Sequence, residues 1–127
     1  MEKIELTSID PLAVCNDGSP AVYYWKKSTN NSKDWLLFLE GGGGCWSELT
    51  CEARKLRSCH LTSSKCDHAT LFKGGVFDDR PENPLATANK AFLRYCSSDD
   101  FVGNSTQHAG FLFHGTVIVQ AFIHHLE

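Results

Sequence analysis

Five consecutive apolar residues, Trp35-Leu36-Leu37-Phe38-Leu39, run through Glu40 into four glycines, Gly41 to Gly44, and then Cys45-Trp46. An unbroken apolar run does not alternate, so it predicts a strand covered on both faces, as in a parallel sheet flanked by helices. Glycine directly behind such a strand makes a poor linker, because flexible linkers sit between polar segments. It also makes a poor phosphate loop, since no Lys-Ser/Thr pair and no spaced glycine fingerprint opening a helix accompanies it. Two readings remain from the local pattern. The glycines form a structural turn, or their backbone N–H groups converge on a developing oxyanion at φ/ψ values that a side chain would forbid.

The other elements follow from periodicity and punctuation. Leu12 to Cys15 and Ala21 to Lys27 are strand-like runs around Asn16-Asp17-Gly18-Ser19-Pro20, and Asp-Gly in that loop predicts a hairpin. Thr29 to Asp34 is a polar turn. Glu48 to Arg57 holds good helix formers without a breaker and predicts a short helix. Residues 58 to 90 carry Gly74-Gly75, Pro81 and Pro84 and read as a long loop, followed by a strand over Ala91 to Tyr95 and a polar loop over Ser97 to Gln107. In the tail, Ile118, Val119, Phe122, Ile123 and Leu126 recur at helical spacing on one face. Strands alternate with helices, so the predicted fold class is α/β. No internal repeat and no linker divides the chain, and 127 residues are enough for one domain with a core of its own.

A net charge of −3 gives no basic field, which argues against nucleic acid or an anionic membrane as the main partner. No apolar run approaches the roughly 18 to 20 residues that cross a bilayer. The opening MEKIELTSIDPLAV lacks the apolar core and small-residue cleavage site of a secretory leader. The cysteines point the other way. Cys15, Cys45, Cys51, Cys59, Cys66 and Cys96 are many and even in number for so small a chain, which favours an oxidising compartment. The expectation is therefore a secreted protein whose leader is missing from this sequence. Sequons at Asn30-Asn31-Ser32 and Asn104-Ser105-Thr106 make Asn30 and Asn104 candidate glycosylation sites there.

Metal-ligand residue types gather at Cys51, Cys59, His60, Cys66, Asp67 and His68, but their spacing matches no structural zinc pattern. Disulfides in a loop-rich region are the expectation, with no metal and no other cofactor. The nearest approach to a Gly-x-Ser-x-Gly nucleophile turn is Gly103-Asn104-Ser105-Thr106-Gln107, which lacks the second glycine and lies in a polar loop. His124 and His125 sit near the end of the tail helix, where histidines commonly face solvent. His108 and His114 could border a site. No nucleophile is visible.

Taken in order, CNDGSPAVYYWKKS, WLLFLEGGGGCW, Cys51 followed by EARK, then ENP and YCSSDD resemble the pectin acetylesterase family. That family includes the plant and bacterial pectin acetylesterases and the Notum-type carboxylesterases, and the likeness runs from about Thr7 to the end of the chain. The resemblance implies an α/β-hydrolase fold in a secreted esterase, with a Ser-Asp-His triad whose serine stands in a Gly-x-Ser-Ala-Gly-Gly elbow. It implies that Gly42 and Gly43 belong to the oxyanion loop, and that Cys15 pairs with Cys96 and Cys45 with Cys51, leaving Cys59 and Cys66 as the third pair. Notum-type enzymes carry a tryptophan where this chain has Gly43, whereas Tyr95-Cys96-Ser97-Ser98-Asp99 is closer to them than to the plant enzymes.

FLFHGTVIVQAFIHHLE resembles the helix that precedes the nucleophile strand, so the triad would lie beyond Glu127. Residues 1–127 would then form the N-terminal part of one hydrolase domain, with an incomplete sheet and an exposed apolar edge at Trp35 to Leu39. The substrate implied is an ester, leaning with Gly43 toward an acetylated cell-wall polysaccharide such as pectin. The alternatives are an acylated protein, or a non-catalytic product that only binds.

Overall fold

In a computed structural model that describes every residue from Met1 to Glu127, four strands form one mixed sheet. They are β1 (Glu2–Glu5), β2 (Val22–Lys26), β3 (Trp35–Leu39) and β4 (Asn89–Leu93), in the order β1-β2-β4-β3. β1 with β2 and β2 with β4 are antiparallel, while β3 runs parallel to β4 with Leu37 opposite Ala91 and Phe38 opposite Phe92. Helix α1 (Glu48–Arg57) follows the glycines, and a small hairpin of β5 (Thr106–His108) and β6 (Phe111–Phe113) leads into α2 (Gly115–Leu126). Two helices with a mixed sheet make an α/β arrangement.

Period-two alternation divides the core. Tyr23, Ala91 and Leu93 pack with Ile118, Ala121 and Phe122 of α2, all buried. On the opposite face, Val22, Tyr24 and Phe92 pack with Phe77 from the loop before β4. Lys90 lies on that second face at 1% exposure. A buried ammonium needs partners, and its Nζ donates to the carbonyls of Phe77 (3.0 Å) and Ala86 (3.1 Å) and to the Asp79 carboxylate (2.6 Å). One charged side chain thereby pins much of the irregular stretch from 77 to 86 against the sheet.

Asp99 starts α2. Its Oδ2 accepts from the Gly115 N–H at 2.9 Å, and its Oδ1 accepts from the Ser97 hydroxyl and the Phe101 N–H. A carboxylate at this end complements the helix dipole. No helix is long and apolar enough to cross a membrane.

Several expectations need correction. β3 forms where predicted but is not covered on both faces: it is an edge strand, and Trp35, Leu37, Phe38 and Leu39 are each 40–42% exposed. Its apolar run reports a preference for burial, and only one neighbouring strand is present to supply it. Leu12 to Cys15 is not a strand; the expected hairpin shrinks to a single bridge between Val14 and Pro20. The chain before that turn dives inward instead, burying Ala13 and Cys15. β1 replaces it as the antiparallel partner of β2. The Ser97–Gln107 stretch ends in β5, whose pairing with β6 depends on a left-handed turn at Ala109-Gly110. The buried stripe of α2 is Ile118, Ala121 and Phe122, and Ile123 stays 39% exposed.

Phe122 is fully buried and meets Tyr23 edge-on at 5.1 Å between ring centroids. Phe122→Ala is expected to lower stability by about 3–5 kcal/mol, and Ile123→Ala by less than about 1 kcal/mol. Denaturant midpoints of the oxidised chain check this, and equal losses from the two variants would contradict the packing.

Candidate functional site

Glu40 closes β3 and opens the glycine stretch. Its N–H continues the parallel ladder onto the Leu93 carbonyl at 3.0 Å. One carboxylate oxygen accepts from the Tyr95 N–H (3.0 Å) and the other from Arg94 Nη1 (2.8 Å). Arg94 in turn reaches Asp67 (3.2 Å), which His60 contacts through Nδ1 at 2.8 Å. The acid between the apolar run and the glycines is therefore an anchor. It fixes the point from which the loop departs.

Gly41 to Gly44 are exposed, and none of their four N–H groups donates to another group of the chain. Gly42 and Gly43 take φ of +149° and +78°, conformations that L side chains rarely adopt. At Gly44 the constraint is a close approach: a Cβ would lie 2.8 Å from the Ser98 carbonyl oxygen. Cys45 then donates its N–H to the same carbonyl at 3.1 Å, and a disulfide joins it to Cys51 in α1. α1 starts there because Ser47 caps it. The Ser47 hydroxyl accepts from the Thr50 N–H, and the Thr50 hydroxyl accepts from the Ser47 N–H.

Beneath the loop lie two side chains that hold its carbonyls. Arg54, one helical turn after Cys51, is 7% exposed. Its Nη1 donates to the Gly42 carbonyl at 2.6 Å and its Nε to the Ser98 hydroxyl at 2.7 Å. The Ser98 hydroxyl donates onward to Asn16 Oδ1 at 2.7 Å, and Asn16 Nδ2 donates to the carbonyls of Ser97 and Leu112. Arg54 Nη2 is buried without a partner, and burial holds the guanidinium pKa below its ordinary value. The Arg54 guanidinium also sits 5.5 Å from the centre of the Tyr95 ring. The Tyr95 hydroxyl donates to the Gly43 carbonyl at 2.5 Å and accepts from the Asp100 N–H at 2.7 Å. Burial pushes the Tyr95 phenol up to about 12.

All six sulfurs are bonded, Cys15 to Cys96, Cys45 to Cys51 and Cys59 to Cys66. The cluster around His60 is accordingly held by a disulfide and by the Asp67–Arg94 ion pair. Asn30 and Asn104 are both exposed. So are Ser105, His108 and His124, which the structure does not bring together. His114 is buried at the start of α2 with Nδ1 2.7 Å from the Leu12 carbonyl oxygen, and His125 Nδ1 contacts the Tyr23 hydroxyl at 2.6 Å. Arg54 and Tyr95 escaped the sequence reading. The available signal was spacing: Cys51 and Arg54 at i and i+3 share a helix face, so a disulfide from Cys51 to the loop carries Arg54 beneath it.

The arrangement offers free, exposed N–H groups at the carboxyl end of a parallel strand, over a buried cation that no carboxylate bonds directly. Such a loop suits a developing negative charge. The family model described as Pectinacetylesterase matches residues 2–127. The chain belongs to the pectinacetylesterase family.

Its similarity to individual members of that family is high. It is 39% identical to the palmitoleoyl-protein carboxylesterase notum1' of Xenopus laevis over 98% of this chain, covering 26% of that relative. It is 40% identical to the human palmitoleoyl-protein carboxylesterase NOTUM over 88% of this chain, covering 23% of that relative. An inactive palmitoleoyl-protein carboxylesterase, notum1b of Danio rerio, is 44% identical over 72% of this chain and 66% of its own length. The chain thus spans about a quarter of the length of the enzymes it matches, and a far larger share of the inactive member.

The Tyr95 shift has a testable sign. Its folded pKa of about 12 lies above the ordinary 10.0, so between these values the unfolded chain releases a proton that the folded chain keeps. The stabilisation is complete below pH 10.0 and is lost as pH rises toward about 12. Urea midpoints across this range are expected to fall less steeply in Tyr95→Phe than in the parent chain. Parallel slopes would refute the burial of this phenol.

Proposed function

We propose that residues 1–127 supply the oxyanion-binding part of a secreted carboxylic-ester hydrolase of α/β-hydrolase fold, with Gly42 and Gly43 N–H as donors. The observation that carries this reading is the set of four consecutive glycine N–H groups that donate to nothing else, above carbonyls held from behind. In the reaction, a serine hydroxyl attacks the ester carbonyl while a histidine, oriented by an aspartate, takes its proton. The carbonyl oxygen becomes an oxyanion, and donors about 2.7–3.1 Å away stabilise it. Loss of one such donor costs about 10²–10³ in rate. On this reading the triad would be supplied by residues outside 1–127. Three disulfides accord with assembly in an oxidising, secretory compartment.

The substrate class follows from the family: an O-acyl or O-acetyl ester. The names of the similar vertebrate enzymes favour a fatty-acylated protein. Gly43, standing where Notum-type enzymes carry a tryptophan, leans instead toward the pectin acetylesterases and so toward an acetylated polysaccharide such as pectin. A non-catalytic role is the second reading, favoured by the similarity to the inactive Danio rerio carboxylesterase notum1b, 66% of whose length this chain covers.

Purified 127-residue protein is expected to hydrolyse p-nitrophenyl acetate no faster than buffer, because no serine–histidine pair is assembled in it. Saturable turnover blocked by a serine-reactive inhibitor would overturn that expectation. A polypeptide extended to the length of the active relatives is expected to turn over the ester. There replacing Gly43 by glycolic acid, an amide-to-ester change that removes one N–H and leaves φ free to stay at +78°, should lower kcat by about 10²–10³. An unchanged kcat would remove Gly43 from the donor set.

A further inference from the structure

We propose that Arg54 is the positioning residue of the glycine loop, assisted by Tyr95, and that it sets the direction of the Gly43 N–H by holding the Gly42 carbonyl. A trans peptide is planar, with its C=O and N–H pointing to opposite sides. Anchoring the Gly42 oxygen to Arg54 Nη1 at 2.6 Å therefore turns the Gly43 N–H away from the protein. Tyr95 does the same one peptide later: its bond to the Gly43 oxygen at 2.5 Å turns out the Gly44 N–H.

Four glycines have no side chains with which to fix themselves, and glycine has the largest backbone freedom to lose. Donors that must meet a reacting oxygen have to be held to within about 0.5 Å. Here the order comes from outside the loop.

A guanidinium that merely packed a helix would not be buried without a carboxylate, since burying an unpaired charge is costly. Arg54 bonds a hydroxyl and a carbonyl, and its Nη2 bonds nothing. The positive charge, with Asp100 near enough to act on it but not bonded to it, thus lies beneath the loop that receives negative charge, in a setting of low dielectric. The fork matters as well as the charge. One rigid group reaches the Gly42 carbonyl and the Ser98 hydroxyl at once, which a lysine ammonium cannot reproduce.

The consequence for oxyanions rests on the function proposed above, whereas the ordering of the loop does not. The test uses the oxidised 127-residue chain labelled with ¹⁵N, as the parent and as Arg54→Met, Arg54→Lys and Tyr95→Phe. Backbone order parameters are measured first, and the chain is then titrated with methylphosphonate, a tetrahedral anion. In the parent, Gly42, Gly43 and Gly44 are expected to be as ordered as the sheet, near about 0.85. Saturable shifts are expected at the Gly42 and Gly43 amides, the donors proposed above.

In Arg54→Met the three glycines should fall below about 0.6, and methylphosphonate affinity should drop at least about tenfold, the loss of one charged hydrogen bond. The Ala91 and Phe92 amides should not move. Arg54→Lys should restore less than half of either loss, and it carries the test if Arg54→Met does not fold. Tyr95→Phe should disturb Gly44 more than Gly43. Full loop order and parent-like affinity in both Arg54 variants would overturn the inference. A parent loop ordered by Arg54 that shows no shift with methylphosphonate would leave the positioning intact and overturn the oxyanion reading.

Discussion

A guanidinium taken out of water must find hydrogen-bond acceptors in the protein, and Arg54 finds them in two segments that are far apart in sequence. Its bonds to the Gly42 carbonyl and the Ser98 hydroxyl join the loop after β3 to the turn after β4. Ser98 passes the connection to Asn16, and Asn16 to the chain before α2. The Cys15–Cys96 disulfide lies alongside this relay and closes a separation of 81 residues, a constraint worth about 4 kcal/mol against the unfolded chain. Covalent and polar links thus converge on the same few residues. Any change that moves Ser98 moves the loop, the N-terminal turn and the entry to α2 together.

The run Tyr95 to Asp99 concentrates this role. Tyr95 holds the Gly43 carbonyl, Cys96 the disulfide, Ser98 the guanidinium, and Asp99 the first turn of α2. Ser98 takes a positive φ of 57°, unusual for a residue with a side chain. Its hydroxyl bonds to Asn16 and Arg54 accompany that conformation. Backbone strain at such a site is sustained only where the surroundings over-determine it.

Much of this was legible in the residues, though unevenly. α1 is legible with its observed bounds because its helix formers and lack of breakers agree locally, and the Ser47 cap adds to them in the structure. The tail helix was legible from spacing. β1 was not, because Glu2-Lys3-Ile4-Glu5 has a single apolar residue and is a strand only by virtue of β2 beside it. β3 is legible in two parts: its apolar run alone predicts cover on both faces, and the reading as part of a larger domain predicts the exposed edge that is observed. Composition states what a strand would bury, while its neighbours decide what it does bury. The four glycines announced a special loop. Arg54 did not announce itself, since among Glu52, Lys55 and Arg57 it looks like one more charge on a solvated helix. Only the path of the Cys45–Cys51 disulfide singles it out.

β3 carries the loop and is also an edge strand, with one side of its ladder unpaired. Half of its ladder capacity is uncommitted, so the platform of the glycines is held by β4 alone on that side. Stiffness of the loop and closure of the sheet are consequently one variable. A strand laid against that edge would tighten the base from which the N–H groups are aimed, and an open edge leaves their aim to Glu40 and Arg54.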